Sequence, residues 1–582
     1  MSNLTTLHDT WLARWPDALS IWSKFTRLSP PHWCYTHAEA AAEGLSTSFA
    51  MIRLTDQAVV IDLQGVADYH LEAFPREVLA HEIGHHVYAP ADLSDYARMM
   101  ARMRWALPGK EHLASFIGNL YTDLLINDRL QRSANLSMAQ VYETIGNHST
   151  DRMWTLYMRI YEILWSLQTG TLAAGAIDLQ MEGDARLGAR LIRSYARDWL
   201  DGAGRFAALC LPYLENDDGA EIQKIMKGWR DTENAGKGGM PAGLTDVEDG
   251  ESAGAIHPSL DPELSGLDPA DSLDGDPVQK PPSEVPQTTA SGGQARQPYQ
   301  YGEILKSIGI DLSPAEVAIR YYKERAVPNL IRFPARIIPE STDPLPEGLE
   351  PWDIGSPLEG ADWMESVLLS PRVVPGMTTV QRVWGTTEGT LPERLPLDLD
   401  LYVDCSGSMP NPQVSISYLT LAGAIISLSA LRAGARVQAT LWSGKGQFQW
   451  TKGFVRDEHQ VLGILTGYIG GGTQFPIHLL RDTYATRKQS DRPAHILVIS
   501  DDGVTTMFDK DEKGASGWDI AAMALAKARG GGTLALNLGG NWEKQYPALV
   551  QARDAGWQIS PILNWADLIA FAKRFSQIQY AE

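Results

Sequence analysis

Residues 397–409 read LDLDLYVDCSGSM, and this run decides the fold of the C-terminal part of the chain. Leu397–Asp404 has the composition of a buried strand, and the residues after it make a tight loop before a helical run. The loop sets Asp404, Ser406 and Ser408 in an Asp-x-Ser-x-Ser pattern at the strand's carboxyl end. One carboxylate and two hydroxyls are hard oxygen ligands, suited to Mg²⁺. Working outward, VSISYLTLAGAIISLSALRAG reads as a helix and ARVQATLW as a strand. AHILVISDD, TLALNLGG and WQISPI are further strands, and WDIAAMALAKARG and NWADLIAFAKRF are helices. Strands separated by helical crossovers predict a mostly parallel sheet covered on both faces, a doubly wound α/β domain over 395–582. Such sheets bind ligands outside the strand carboxyl ends, where Asp404 lies. Thr473, in the loop GGGTQF, and Asp501, after the strand HILVIS, follow later in the chain.

A second constellation lies near the N-terminus, where residues 75–90 read PREVLAHEIGHHVYAP. Pro75 suits the first turn of a helix, Glu77 complements its dipole and Pro90 marks its end. On that helix His81 and His85, four residues apart, project from one face, so both imidazoles can reach one Zn²⁺. Glu82 then stands beside the metal as a general base for a water. His86 points about 100° away from His85 and reads as structural. A catalytic zinc site needs a third protein ligand. Downstream, FIGNLYTDLLINDRL reads as a helix with Asn119, Asp123 and Asn127 spaced by four.

On these residues the chain resembles predicted metal-dependent peptidases of zincin-like type that carry a C-terminal von Willebrand factor A-like domain. In that family a HExxH helix precedes a helix of the type NxxxDxxxN, and the resemblance implies Asp123 as the third zinc ligand, with Asp128 and Glu143 in reserve. Zincin sites flank the metal helix with a sheet edge, and AVVIDLQGV (58–66) has strand composition. The family has an aliphatic residue where this chain has Gly84. Over 395–582 the resemblance implies a metal-ion-dependent adhesion site (MIDAS), with magnesium held by Asp404, Ser406, Ser408, Thr473 and Asp501. Asp502 leaves the last ligand ambiguous by one residue, and Asp501, directly after the strand, is favoured. Cys405 replaces the usual threonine, at a position whose side chain is not a ligand in that family. Family members keep a coordination position that a partner's carboxylate completes, and in bacteria they typically partner MoxR-type AAA+ ATPases.

Residues 1–230 read as a mainly helical domain. In DRMWTLYMRIYEILWSLQ, Trp154, Tyr157, Met158, Tyr161 and Leu164 fall on one helical face, the pattern of core packing. Residues 231–297 are rich in Gly, Pro, Ser and acids; 231–290 hold 13 acidic residues against two lysines. Such composition predicts a disordered acidic linker. Residues 298–394 read as a connector, with a helix at PAEVAIRYYKERA and irregular chain after it.

The 582 residues allow three or four domains, and 44% hydrophobic content is enough for real cores. A net charge of −21 repels phosphate backbones and anionic headgroups, which argues against nucleic-acid and membrane partners and for a basic partner surface. Three separated cysteines form no disulfide framework or thiolate zinc site and fit a reducing cytosol. The start of the chain lacks the pattern of a secretory signal, and the expected location is cytoplasmic. No Walker A pattern and no GxSxG are present, so the chain is expected to be neither the ATPase nor a serine hydrolase. Two functions remain in view. One is a zinc metallopeptidase, a peptide-bond hydrolase, coupled to the adhesion module. The other is a non-catalytic adaptor of an AAA+ ATPase with a structural or vestigial metal site. A chelatase-like subunit rests on analogy alone.

Overall fold

Helices and strands are mixed throughout the computed structural model, which describes residues 2–23, 25–45, 48–146, 149–214, 240–248, 250–264, 294–338, 341–389, 393–489 and 491–577. The chain forms two units, Met1–Glu324 with Gln413–Ile416, and Arg325–Pro412 with Ser417–Glu582. Their boundary falls inside the stretch read as a connector, after most of the helix Pro314–Ala326. Among the described residues no helix is long and apolar enough to cross a membrane.

In the first unit the helix Ala114–Ser133 is nearly engulfed, with Asn119, Thr122, Asp123, Asn127 and Asp128 all buried. Five buried polar side chains on one helix are costly unless each has a partner. The helix Pro75–Val87 packs between it and the N-terminal helix Ser2–Trp22. A three-stranded sheet runs in the order His32–Cys34, Ala58–Asp62, Ala50–Arg53. The run 58–66 is therefore a strand only to Asp62, which then caps a short helix from Leu63. It is the central strand; the edge strand against the Pro75–Val87 helix is Ala50–Arg53.

The expected acidic tether 231–297 is corrected over 240–248, 250–264 and 294–297, which fold as part of the first unit. Glu248 Oε1 and Oε2 accept from Arg98 at 2.6 Å and Arg102 at 2.7 Å, and Asp261 pairs with Arg205 at 2.6 Å. Glu251 meets Arg296 at 2.7 Å, while Leu244 and Leu264 are buried. Composition registered the acids but not the arginines that meet them from distant parts of the chain. The rest of that segment, 231–239, 249 and 265–293, lies outside the described residues.

The connector is likewise less irregular than expected. Ser341–Pro351 pairs antiparallel with Val380–Gly389, and Trp363–Leu369 is a helix. Prolines demote a run as a central strand, but a two-stranded ribbon has only edge strands, where a missing N–H is tolerated.

The second unit holds a six-stranded sheet in the order Phe448–Trp450, Val437–Trp442, Asp398–Asp404, Ala494–Ser500, Arg529–Leu536, Trp557–Pro561. Only the first pair is antiparallel. Every residue of Asp398–Asp404 is buried, as a strand covered on both faces must be. Tyr402 joins one face's core with Phe475, Val498 and Ile520, while Leu401 faces the helix Tyr418–Arg432 on the other. The chain leaves this strand toward Val437–Trp442 on one side and later returns to Ala494–Ser500 on the other. Its carboxyl end is thus a topological switch point, with Asp404 on it and Asp501 beside it.

Asp400 gives this unit a pH dependence. It is fully buried, accepts from Gln438 Nε2 at 3.1 Å, and burial pushes its carboxyl up to about 7. Between the ordinary carboxyl range and about pH 7 the unfolded chain has lost this proton and the folded chain has kept it. Stability therefore falls as pH rises through that window, by an amount on the order of a few kcal/mol. Asp400→Asn is expected to unfold at a higher temperature than wild type at pH 8, with the gap shrinking toward pH 5. A gap that does not change with pH in thermal melts would contradict this.

Candidate metal centres

Two helices bring the first cluster together. His81 and His85 lie one turn apart on Pro75–Val87, and Asp123 projects from the middle of Ala114–Ser133. Their ligand atoms all lie within 4.8 Å of one another. His85 Nε2 is 3.2 Å from His81 Nε2, and Asp123 Oδ1 is 3.5 Å from His85 Nε2 and 3.7 Å from His81 Nε2. The other nitrogen of each ring is held from behind. His85 Nδ1 lies 3.1 Å from the Ala89 carbonyl oxygen, which can only accept, so this nitrogen carries a proton. His81 Nδ1 lies 2.7 Å from Asn127 Oδ1. With both rings protonated at Nδ1, two Nε2 lone pairs and a carboxylate would be turned on one point. Three electron-pair donors that close repel each other unless a cation or a shared proton sits among them, and two imidazoles with one carboxylate suit zinc. The donor set fits the metal.

Glu82 is buried on the same helix, 2% exposed. Asn119 Nδ2 reaches Asp123 Oδ2 at 3.4 Å. His86 is outside the cluster. Neither reserve ligand joins it. Asp128 Oδ2 and Oδ1 face Arg132 and Arg193, both at 3.5 Å, and burial raises its carboxyl against the pull of those arginines. Glu143 is exposed on Met138–Ile145.

Gly84 has a steric reason. A Cβ there would fall 2.6 Å from Trp22 Cζ2 and 2.7 Å from Ile126 Cγ2, so glycine lets the helix bearing both histidines approach the one bearing Asp123. Trp22 also donates from Nε1 to the Ala80 carbonyl at 2.7 Å. Gly84→Ala is expected to lower stability by about 1–3 kcal/mol in denaturant titrations, as overpacking does. It should also pry apart His81, His85 and Asp123; unchanged stability would contradict the close approach.

The second cluster sits at the switch point. Asp404 Oδ1 accepts from the Ser406 N–H at 2.8 Å and Oδ2 from the Ser500 hydroxyl at 2.5 Å. Ser406 Oγ and Ser408 Oγ are 3.2 Å apart, and Ser408 donates to Asp501 Oδ2 at 2.6 Å. Burial raises the Asp404 carboxyl above its ordinary range, and the nearby Asp501 charge adds to the rise against the Ser500 and Ser406 hydrogen bonds. A buried Asp404 carboxyl with a second carboxylate nearby, among hydroxyls, suits a hard divalent cation. Asp501, not Asp502, joins the serines; Asp502 is exposed and its charge acts on Tyr546. Thr473 enters through packing: a Cβ on Gly503 would lie 2.3 Å from Thr473 Cγ2 and 2.9 Å from Asp501 Oδ1. Cys405 Sγ donates to the Trp442 carbonyl at 3.2 Å, turned away from the hydroxyls.

Sequence reasoning missed Ser500, Gly503 and Tyr142, and it named Asn127, Tyr157 and Tyr161 without a role behind His81. Ser500 directly precedes Asp501, and Asn127 stands one turn from Asp123, so position along the elements was the available signal. Comparison with protein-family models, curated proteins and solved structures gives no match to this chain.

Proposed function

We propose that the chain is a zinc-dependent metallopeptidase coupled to a von Willebrand factor A-like module that binds a protein partner, of the MoxR-type AAA+ ATPase class, through magnesium. The observation that carries the first half is the convergence of His81 Nε2, His85 Nε2 and Asp123 Oδ1, with each ring oriented from behind. Zinc held by these three residues supplies Lewis-acid polarisation of a scissile carbonyl in a protein or peptide. Glu82, next to His81 on the helix, takes a proton from the attacking water and returns it to the leaving amine. Asn127 and the Ala89 carbonyl hold the imidazole planes, and Asn119 steadies the Asp123 carboxylate.

In the second unit Asp404, Ser406, Ser408 and Asp501, with Thr473 behind, are the residues that would hold magnesium. The cation there supplies a docking point for a partner's carboxylate. Support comes from the hydroxyl-and-carboxylate donor set at the switch point of a mainly parallel sheet.

A second reading, the non-catalytic adaptor, is favoured by burial: Glu82 and Asp123 are each 2% exposed and His85 is fully buried. The His81 side chain, 13% exposed, is the side from which the cluster meets solvent. Casein cleavage by the full-length protein separates the two. Hydrolysis abolished by a chelator and restored by one equivalent of zinc is expected of the peptidase. A zinc-loaded protein inert toward casein and unstructured peptides, with and without the ATPase, would support the adaptor.

A further inference from the structure

Behind His81 lies a buried polar network that neither metal binding nor core packing alone requires. Asn127, 1% exposed, makes three hydrogen bonds through its side chain. Its Oδ1 faces His81 Nδ1 at 2.7 Å, and its Nδ2 donates to the hydroxyls of Tyr142 at 3.0 Å and Tyr161 at 2.9 Å. Those hydroxyls form a triangle with Tyr157, with sides of 3.1, 3.0 and 3.4 Å. A triangle of hydroxyls closes when each O–H is donated to the next, so what the ring offers outward is lone pairs. Asn127 must then present its NH₂ to the tyrosines and its carbonyl oxygen to His81.

We propose that Asn127, clamped by Tyr142 and Tyr161, is a positioning residue that fixes the tautomer of His81 and thereby sets zinc affinity. With the amide reversed, an N–H would face His81 Nδ1. The ring would carry its proton on Nε2 and aim it at His85 and Asp123, where the metal belongs. The tyrosine triangle selects against that arrangement from two residues away. It also gives a role to the hydroxyls of Tyr157 and Tyr161 on Arg152–Leu164, a helix whose pattern reads as plain core. The inference rests on the reading of His81 as a zinc ligand.

The test is zinc affinity of the full-length protein, by competition with a chromophoric chelator, alongside the melting temperature of the metal-free form. Asn127→Leu removes the acceptor and is expected to weaken zinc about 10–100-fold, as loss of an outer-sphere partner does. Asn127→Asp keeps an acceptor for His81 Nδ1–H and should stay within a few-fold of wild type even if its melting temperature falls. Tyr161→Phe, which keeps the ring and removes one hydroxyl, should weaken zinc several-fold and carries the test if Asn127→Leu does not fold. Wild-type affinity in Asn127→Leu or Tyr161→Phe overturns the proposal. So does equal weakening in Asn127→Asp and Asn127→Leu, which would make the role one of packing. Failure of wild type itself to bind zinc is a different result and overturns the site along with the inference.

Discussion

Glu82→Gln is expected to leave zinc bound and to reduce peptide hydrolysis by about 10²–10⁴-fold or more, the range general-base catalysis supplies. The amide is nearly isosteric with the carboxylate, so the helix Pro75–Val87 should pack unchanged around position 82, which is buried. What is lost is the group that accepts the proton, since the glutamine side chain is not basic at neutral pH. The zinc ligands are untouched, because His81, His85 and Asp123 draw their orientation from Asn127, Ala89 and Asn119. Activity and zinc content measured on the same preparation check both halves. Retained hydrolysis in Glu82→Gln would remove Glu82 from the mechanism, and zinc lost together with activity would make it a ligand.

The second large effect is expected at Asp404. Asp404→Ala, or removal of divalent cations with EDTA, should weaken the complex with an AAA+ partner by more than about tenfold while the unit remains folded. Without a cation the Asp404 carboxylate is an electrostatic burden, buried beside Asp501, so its removal relieves a cost. The strand it ends is secured independently by parallel ladders on both sides. Because the chain carries a net charge of −21, the partner surface around the docking carboxylate is expected to be basic. Screening over a Debye length of about 8 Å in physiological salt confines that demand to the immediate surround. Equal retention of the ATPase in a pull-down with Asp404→Ala, with EDTA and with wild type would contradict an adhesion-site mechanism.

The parts of the molecule that were legible in its sequence share one property: they are locally determined. The strand LDLDLYVD could be read because its Leu, Tyr and Val run straight into the turn-forming CSGS, even though Asp398 and Asp400 are buried within it, and a helix follows within a few residues. His81 and His85 could be paired because helical geometry alone sets their spacing. Asp123 came from a resemblance, not from spacing, and its separation from Asp128 depends on which way a buried helix is turned. Asp123 faces the histidines, whereas Asp128 faces Arg132 and Arg193. Tyr157 and Tyr161 were legible as core but not as a hydroxyl network, since their partners Asn127 and Tyr142 lie on other helices. Glu248 and Asp261 were misjudged for the same reason: Arg98, Arg102 and Arg205 meet them from far along the chain.

The most direct measurement of the central claim is zinc per chain in wild type, His81→Ala and Asp123→Ala, by elemental analysis of purified full-length protein after dialysis against a mild chelator. About one zinc in wild type and little in either variant, with all three folded by circular dichroism, is the expected result. Equal zinc in His81→Ala and wild type, or no zinc in wild type after reloading, would contradict the site on which the proposed peptidase function stands.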